Sequence, residues 1–188
     1  MCAPVPAQGR VDARLLVVGL APGAGGANRT GIPFLGDDSG VLLHAALCDH
    51  GFARPAAAGG VVLRDTRIVN AVRCVPPANR PTGAERARCR PFLRRDLGWL
   101  LRGGRRRRPV AVLALGRVAH ESVLDALEFP RGAHAFGHGA SHALAPGARL
   151  FDSYHPSRYN VNTGRLTRAM LDEVLASLRH HLVRRTRP

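Results

Sequence analysis

Residues 14–37 read RLLVVGLAPGAGGANRTGIPFLGD, and this stretch decides the fold. The apolar run at its start is short and is interrupted by a Gly/Pro turn, which is typical of a buried strand. A glycine-rich loop over residues 23–36 follows. Asp37 and Asp38 then offer a side-chain cap for a helix that we expect to run to about His50. The stretch therefore predicts one strand–loop–helix unit of a parallel α/β sheet.

The same alternation recurs along the rest of the chain. Further apolar runs predict three more strands, over residues 64–72, 110–115 and 150–154. The Gly/His-rich segment over residues 132–145 could hold one or two short strands. Helical patterns follow the three strands, over residues 82–102, 116–127 and 163–184. Pro91 lies within the first of these patterns and predicts a kink there or a division into two helices. We therefore expect an α/β fold, a three-layer α/β/α arrangement with a central, mostly parallel four-stranded sheet.

Length and composition fit one globular unit. The 188 residues are 45% hydrophobic and 22% charged, so we expect a single domain over residues 1–188. No apolar run approaches the roughly 18 residues that a membrane span needs. The beginning of the chain carries no signal-peptide pattern. We therefore expect a cytoplasmic protein that is a monomer and has no membrane partner.

The charge predicts a polyanionic partner. The chain has 28 basic against 13 acidic side chains, a net charge of +15, which favours nucleic acid over a merely basic surface. All 28 basic residues are arginines, so lysine Schiff-base chemistry is excluded apart from the N-terminal amine. The arginine run at residues 105–108 is either a DNA contact or a solvated loop, and the second interpretation is favoured.

Polar side chains are expected on one rim of the sheet, because ligands of such folds bind at the carboxyl ends of parallel strands. Asp37, Asn70 and His155 would provide an acid, an amide and an imidazole there, which can perform acid–base or electrostatic chemistry. The ring of Phe34 could stack on a planar ligand. Each residue also has a structural interpretation. Asp37 can be a helix cap and Asn70 a partner of loop backbone, while His155 can be structural and Phe34 part of the core.

Two loops suit a nucleic-acid backbone. The glycine-rich loop lacks both a lysine and the GxxxxGK[ST] spacing, so we expect no nucleotide cofactor. Its glycines would leave main-chain amides accessible to phosphates. Residues 155–165 read HPSRYNVNTGR, with Ser157 or Thr163 placed to contact phosphates and Arg158 or Tyr159 to enter a base stack. An ordinary polar loop is the alternative.

Several long motifs in order resemble one family. The glycine-loop motif GLAPGAGGANRTGIPFLGD at residues 19–37 resembles the first motif of the uracil-DNA glycosylase superfamily, in its family 5 or type B branch. NAVRCVPPANRPT at 70–82, FGHG at 136–139 and HPSRYNVNTGRLT at 155–167 are similar to further motifs of that branch. The resemblance implies a uracil-DNA glycosylase-like fold. It also implies a monofunctional enzyme that hydrolyses the N-glycosidic bond of uracil in DNA, and of other damaged bases such as hypoxanthine, and so starts base excision repair.

The resemblance also assigns roles. Asp37 would stabilise the sugar cation or orient the attacking water, Asn70 would bind the base edge or that water, and His155 would donate to the departing base. Phe34 would stack on the flipped base. The remaining base- or DNA-binding residues that it implies are Gly19, Ala21, Pro22, Gly23, Asn28, Ser157, Arg158, Thr163 and Arg165.

The four cysteines, Cys2, Cys48, Cys74 and Cys89, form no CxxC pair. Their spacing alone favours buried thiols over metal ligands or reactive groups. The resemblance implies a [4Fe–4S] cluster and matches Cys74 and Cys89 to two of its four ligands, whereas the other two would form a CxxC upstream of the first strand.

This departure from the family pattern leaves three explanations. We expect that the natural start lies upstream, while loss of the cluster and replacement of ligands by Cys2 and Cys48 are the alternatives. Two further functions stay open at this point. One is a non-catalytic DNA-binding protein that retains the glycosylase fold, and the other is a redox sensor built on the cysteines.

Overall fold

The structure, a computed structural model, describes residues 3–57, 59–104 and 108–183. Its strands are β1 (Gln8–Gly9), β2 (Leu15–Gly19), β3 (Ala53–Pro55), β4 (Val61–Leu63), β5 (Thr66–Asn70), β6 (Val110–Leu115), β7 (Ser141–Ala145) and β8 (Ala148–Ser153). Its helices are α1 (Ala27–Thr30), α2 (Asp38–Asp49), α3 (Gly83–Gly104), α4 (Arg117–Leu127), α5 (Arg158–Asn162) and α6 (Arg168–Val183). Short 3-10 turns occupy Pro77–Asn79 and Arg131–Ala133.

The central sheet confirms the parallel arrangement and corrects the strand number. It has six strands in the order β1-β5-β2-β6-β8-β7. The four predicted strands form its parallel middle, while β1 and β7 add antiparallel edges. The four-stranded sheet left these edges out, because β1 has two residues and β7 is mostly exposed, so neither has the apolar run of a buried strand. β7 does fall in the segment 132–145, where one or two short strands were expected, whereas β1 was not predicted. A separate hairpin is formed by β3 and β4.

Helices cover both faces of the sheet, which gives the predicted three layers. On one face, α2 and α6 pack with Leu15 and Val17 of β2 in one apolar cluster. On the other face, α3 and α4 pack with Leu16 and Val18 in a second cluster. Side chains alternate between the faces of a strand. A strand buried on both faces therefore needs a continuous apolar run, and β2 and β6 have one.

Two helix predictions are corrected. Of the two alternatives at Pro91, the division into two helices is wrong, because α3 continues through Pro91 as one helix. It begins with a capping box, in which Glu85 N–H donates to Thr82 Oγ1 at 3.2 Å and Thr82 N–H donates to Glu85 Oε2 at 2.7 Å. The last predicted helix, over residues 163–184, begins only at Arg168 as α6. A short helix that was not predicted, α5, precedes it, and Gly164 between them adopts a left-handed φ of 69°.

The arginine run lies mostly outside the described residues, at 105–107. Arg108 is exposed and stands just before β6 begins, at the sheet edge opposite the carboxyl ends of the parallel strands. Its position favours the solvated-loop interpretation for Arg108. Within the described ranges, no helix is long and apolar enough to cross a membrane.

Candidate active site

The parallel strands bring two predicted site residues side by side. In the pairing of β2 with β5, Gly19 is the register partner of Asn70, and both are the last residues of their strands. The neighbouring strands β6 and β8 end at Leu115 and Ser153 on the same edge. His155 follows two residues after the end of β8. The predicted rim is therefore present as an edge of the sheet.

Gly19 allows two side chains to lie against the backbone. A Cβ at this position would lie 2.5 Å from Asn70 Oδ1 and 2.7 Å from Phe34 Cζ, closer than a real Cβ contact allows. Asn70 is 4% exposed, and its Oδ1 has no hydrogen-bond partner among the described residues. A buried amide oxygen without a partner costs free energy. This oxygen is therefore suited to a ligand's hydrogen-bond donor.

Phe34 is held in an unusual conformation at the centre of this edge. It has a left-handed φ of 59°, which is strained for a residue with a Cβ. Its backbone carbonyl presses on the first turn of α2, where a Cβ on Gly40 would lie 1.7 Å from Phe34 O. The ring is buried and stacks on the His155 ring, with centroids 6.0 Å apart and an interplanar angle of 29°.

Asp37 is the N-cap of α2, as its position predicted. Its Oδ1 accepts a hydrogen bond from Gly40 N–H at 2.9 Å. Its Oδ2 faces the glycine-rich loop, 3.4 Å from where a Cβ on Gly23 would lie. A Cβ on Gly26 would collide with the same carboxylate at 2.7 Å. The N-cap hydrogen bond thus engages Asp37 Oδ1, while Gly23 and Gly26 leave space beside Oδ2.

Burial keeps His155 neutral. Burial lowers its pKa from 6.5 to about 4, although the negative charge of Asp37 acts in the opposite direction. The backbone around it is fixed, because Asn160 Nδ2 donates to the His155 carbonyl at 2.8 Å. The glycine at Gly116 leaves room for the ring, since a Cβ there would lie 3.3 Å from His155 Cβ. At neutral pH the imidazole is therefore a fixed neutral group.

The low pKa of His155 predicts a loss of stability in acid. The unfolded chain takes up this proton near the ordinary pKa of 6.5, but the folded chain does so only near about 4. The unfolded state therefore binds more protons between these values, and the free energy of unfolding falls as the pH falls. At about pH 5 we expect a loss of about 2 kcal/mol from this group. Urea unfolding of wild type and His155→Gln at about pH 7 and pH 5 measures it, and an equal pH dependence would contradict it.

Two pockets meet at the stacked Phe34–His155 pair. One has a volume of about 310 Å³ and is lined by Leu20, Leu115, Gly116, Arg117, Val118, Phe136, Gly137, Tyr154, His155, Asn160 and Arg165. The other, of about 440 Å³, is lined by Phe34, Asp37 and His44 among others. The structure thus places Asp37 and His155 in neighbouring pockets rather than in a single one. The Phe34 and His155 rings lie between them.

Arginines stacked on aromatic rings line the first pocket. The Arg165 guanidinium carbon lies 4.7 Å from the Tyr154 ring centroid, and that of Arg117 lies 5.4 Å from the Phe136 centroid. Such stacking holds a guanidinium in place while its N–H groups stay available for phosphates. Arg165 was predicted from the sequence, but Arg117 was not. The sequence signal for Arg117 as a site residue was its position at the start of α4, just after β6, at the same edge of the sheet.

Other predicted residues flank this edge. Ala21, Pro22 and Gly23 lie in the irregular segment after β2, and Asn28 lies in α1. Ser157 caps α5 by accepting from Asn160 N–H at 3.4 Å.

The remaining predicted residues, Thr163 and Arg158, lie exposed at the two ends of α5. The Thr163 hydroxyl donates to Tyr159 O at 2.8 Å. Arg158 is ion-paired with Asp38 and so connects α5 to α2. In this state the guanidinium of Arg158 is engaged with protein rather than free for DNA.

Sequence reasoning also missed pocket residues. Phe136 and Tyr154 line the first pocket beside His155, and Asn160 fixes the His155 backbone. The FGHG motif pointed to Phe136, but a motif match alone does not say which wall of a pocket a residue forms. Each of these contacts joins segments that are brought together by the sheet.

The cysteines in the described part of the chain do not complete a cluster site. Cys74 follows β5 and Cys89 lies on α3. Neither belongs to a group of three or more potential ligands among the described residues, whereas a [4Fe–4S] cluster takes four. Cys48 cannot join them, because it packs against the apolar cluster on the opposite face of the sheet from α3. Replacement of a ligand by Cys48 is therefore wrong, and Cys2 lies outside the described residues.

Gly40→Ala tests the close approach that positions Phe34. Its Cβ would overlap the Phe34 carbonyl, so α2 and Phe34 must move apart. We expect the free energy of unfolding to fall by about 1–3 kcal/mol, the usual cost of overpacking, and any activity at this site to fall with it. Gly98→Ala on α3 is the matched control. Its Cβ would meet only Arg102 Nη1, at 3.6 Å, and we expect about 1 kcal/mol of stabilisation. Equal unfolding midpoints for the two variants would contradict the prediction.

Fold and site together define an α/β/α protein with a carboxylate, an amide and a neutral imidazole at the carboxyl edge of its parallel sheet. Comparison with known proteins agrees. A sequence model of the uracil DNA glycosylase superfamily matches residues 6–179. A type-5 uracil-DNA glycosylase of Thermus thermophilus is 45% identical over 176 residues, which cover 92% of this chain and 77% of the relative.

Two further relatives carry the same description. The type-5 uracil-DNA glycosylase of Mycobacterium leprae is 45% identical over 180 residues, 91% of this chain and 75% of the relative. That of Pyrobaculum aerophilum is 46% identical over 176 residues, 92% of this chain and 74% of the relative. The chain belongs to the uracil-DNA glycosylase superfamily.

Proposed function

We propose that this protein is a monofunctional DNA glycosylase that hydrolyses the N-glycosidic bond of uracil in DNA. It releases the free base and leaves an abasic site, the first step of base excision repair. The observation that carries the proposal is that Asp37 shares a pocket with Phe34, whose ring stacks on the His155 that lines the neighbouring pocket. The similarity to type-5 uracil-DNA glycosylases supports it.

A flipped nucleotide would span both pockets. The base would enter the pocket beside His155, whose volume of about 310 Å³ suits one planar base. The sugar would lie towards Asp37. Extruding the base costs a few kcal/mol, and least for a mispaired base. Uracil opposite guanine is therefore the favourable substrate.

As the glycosidic bond breaks, positive charge develops on the sugar and negative charge on the base, and the protein stabilises both. The bond between C1′ and the base nitrogen breaks, and its electron pair leaves with the base. A water oxygen bonds to C1′ and gives its proton to solvent. Asp37 stabilises the positive sugar or orients the water through Oδ2, because Oδ1 is engaged with Gly40 N–H.

The base is held and its charge is stabilised from the other side. The Asn70 amide, buried and with an unpartnered Oδ1, hydrogen-bonds the base edge or the water. His155 is neutral at pH 7, so it donates one N–H to the oxygen on which negative charge develops. Phe34 lines the second pocket and stacks on His155, so it would contact the nucleotide where the base joins the sugar. The chain has no lysine, so no Schiff base forms at a side chain, which supports the proposal of a monofunctional enzyme.

DNA binding rests on the arginines and hydroxyls beside the pocket. Arg165 and Arg117 are held on aromatic rings and face the pocket, and Ser157 and Thr163 lie on the adjoining segment. The same pocket would accept hypoxanthine or other damaged bases. Cys74 and Cys89 would hold two positions of a [4Fe–4S] cluster, but the described residues do not complete it, and no step above depends on it.

A uracil-excision assay tests the proposal. The protein is incubated with a labelled duplex that carries one uracil opposite guanine, and abasic sites are then cleaved with hot alkali. We expect a uracil-dependent cut that is absent without alkali and absent from the matched duplex with cytosine. A cut without alkali would contradict the monofunctional assignment. DNA binding with no base release would support the non-catalytic alternative instead.

A further inference from the structure

We propose that His120, His142 and Asp152 form a binding site for a divalent transition-metal ion of the zinc type. We call these three residues the His–His–Asp cluster. It lies outside the proposed catalytic residues, and the proposed glycosylase reaction does not use it. His120 lies on α4, His142 on the edge strand β7 and Asp152 on β8.

The geometry of the cluster fits tetrahedral coordination. One ligand atom from each residue can be chosen such that all three lie within 4.8 Å of one another. Bonds of about 2.0–2.2 Å to a tetrahedral zinc ion place ligand atoms about 3.4 Å apart. His142 Nε2 lies 3.4 Å from Asp152 Oδ2. A fourth position would be left for water.

The hydrogen-bond partners of His120 indicate that a proton or a metal ion is bound at Nδ1. Its Nε2 lies 2.8 Å from the carbonyl oxygen of His134, so this nitrogen donates. Its Nδ1 lies 2.8 Å from Asp152 Oδ1. In a neutral ring this Nδ1 would present a lone pair to a carboxylate, which is repulsive. Either a second proton lies between the two atoms, or a metal ion binds both as neighbouring ligands, for which they must separate from 2.8 Å to the roughly 3.4 Å of tetrahedral coordination.

The hydrogen bond between His120 Nε2 and the His134 carbonyl favours a metal ion over a second proton. A histidine that binds metal through one nitrogen ordinarily donates its other N–H to a carbonyl or carboxylate, which fixes the ring. The bond from His120 to the His134 carbonyl has this form. Burial lowers the pKa of His120, but the hydrogen bond and charge of Asp152 outweigh burial and leave the pKa raised. The Asp152 carboxylate therefore stabilises either a proton on His120 or a bound metal ion.

Two buried polar atoms remain unsatisfied without an ion. Asp152 is 0% exposed, yet its Oδ2 has no hydrogen-bond partner within the described ranges, and neither has His142 Nε2. A proton on His120 would satisfy Asp152 Oδ1 but leave these two atoms, 3.4 Å apart, without a well-aligned hydrogen bond. One metal ion would satisfy the carboxylate and both imidazoles together, which is why we favour it.

The ligand set selects the kind of metal. Two imidazole nitrogens and one carboxylate oxygen suit zinc and its neighbours, whereas calcium and magnesium prefer oxygen ligands. The ion would join α4, β7 and β8. It would also brace one wall of the first pocket, because the His120 ring packs edge-on against Phe136 at 5.6 Å.

Metal titration of the purified chain tests the proposal. We would titrate Co²⁺, as a coloured substitute for Zn²⁺, into wild type and into His142→Ala. The His142 side chain is 16% exposed, so the variant is expected to fold, which circular dichroism checks. His180→Ala, at an exposed histidine on α6, is the matched control. Sulfur-to-cobalt charge-transfer bands would reveal any separate binding by the cysteines.

We expect one ion per chain with the visible absorption of a nitrogen- and oxygen-ligated tetrahedral site. Its affinity should fall in His142→Ala by at least the roughly 10–100-fold that loss of an outer-shell partner costs, and should not change in His180→Ala. Zn²⁺ should raise the melting temperature of wild type more than that of His142→Ala. Equal cobalt binding by wild type and His142→Ala would overturn the proposal and leave a protonated His120 as the partner of Asp152.

Discussion

Asp37→Asn is expected to lower the rate of uracil release by about 100- to 10,000-fold, the range over which a positioned acid–base group acts. The reason is the loss of negative charge beside the sugar. Asparagine is also a good N-cap, so it can keep the hydrogen bond from Gly40 N–H. Single-turnover release of uracil from duplex DNA measures the effect.

Asp37→Ala separates the two roles of this residue. Alanine removes the cap as well as the charge, and we expect it to cost about 1 kcal/mol of stability that Asp37→Asn retains. Base release should fall similarly in both variants, while both still bind DNA. Wild-type turnover in Asp37→Asn would show that Asp37 only caps α2 and would overturn its proposed catalytic role.

His155→Ala is expected to lower base release by about 100- to 1,000-fold, the usual loss when one donor to a developing anion is removed. The ring is neutral well below pH 7, because burial lowers its pKa to about 4. The rate of wild type should therefore show no step from His155 near pH 6.5. A pH–rate profile and single-turnover rates of the variant measure both expectations.

His50→Ala is the matched control for this variant. His50 follows the end of α2, and its Nε2 lies 3.1 Å from Asp172 Oδ1 of α6, away from the pocket that His155 lines. We expect its base release to match that of wild type. If His155→Ala and His50→Ala gave the same rate, the assignment of His155 as the donor to the leaving base would be wrong.

The order of strands and helices could be predicted because it depends on local chemistry. The apolar runs of β2, β5, β6 and β8, and the cap at Asp37, are features of neighbouring residues in the chain. The edge strands could not be placed in the same way, since short strands were expected over residues 132–145, which contain β7, without bounds, and β1 was not predicted. Since β1 and β7 bury little, their pairing depends on the strand beside them rather than on their own residues.

The sequence by itself determined the four-stranded parallel middle of the sheet, the rim on which Asp37, Asn70 and His155 lie, and the family resemblance. These follow from periodicity, turn residues and motifs, which are local in the chain. Only the tertiary structure decided how Phe34 stacks on His155, why Gly40 must lack a side chain, and that His120, His142 and Asp152 meet. Such contacts join residues that are distant in the chain, and a distance between them exists only once the sheet and its helices have packed.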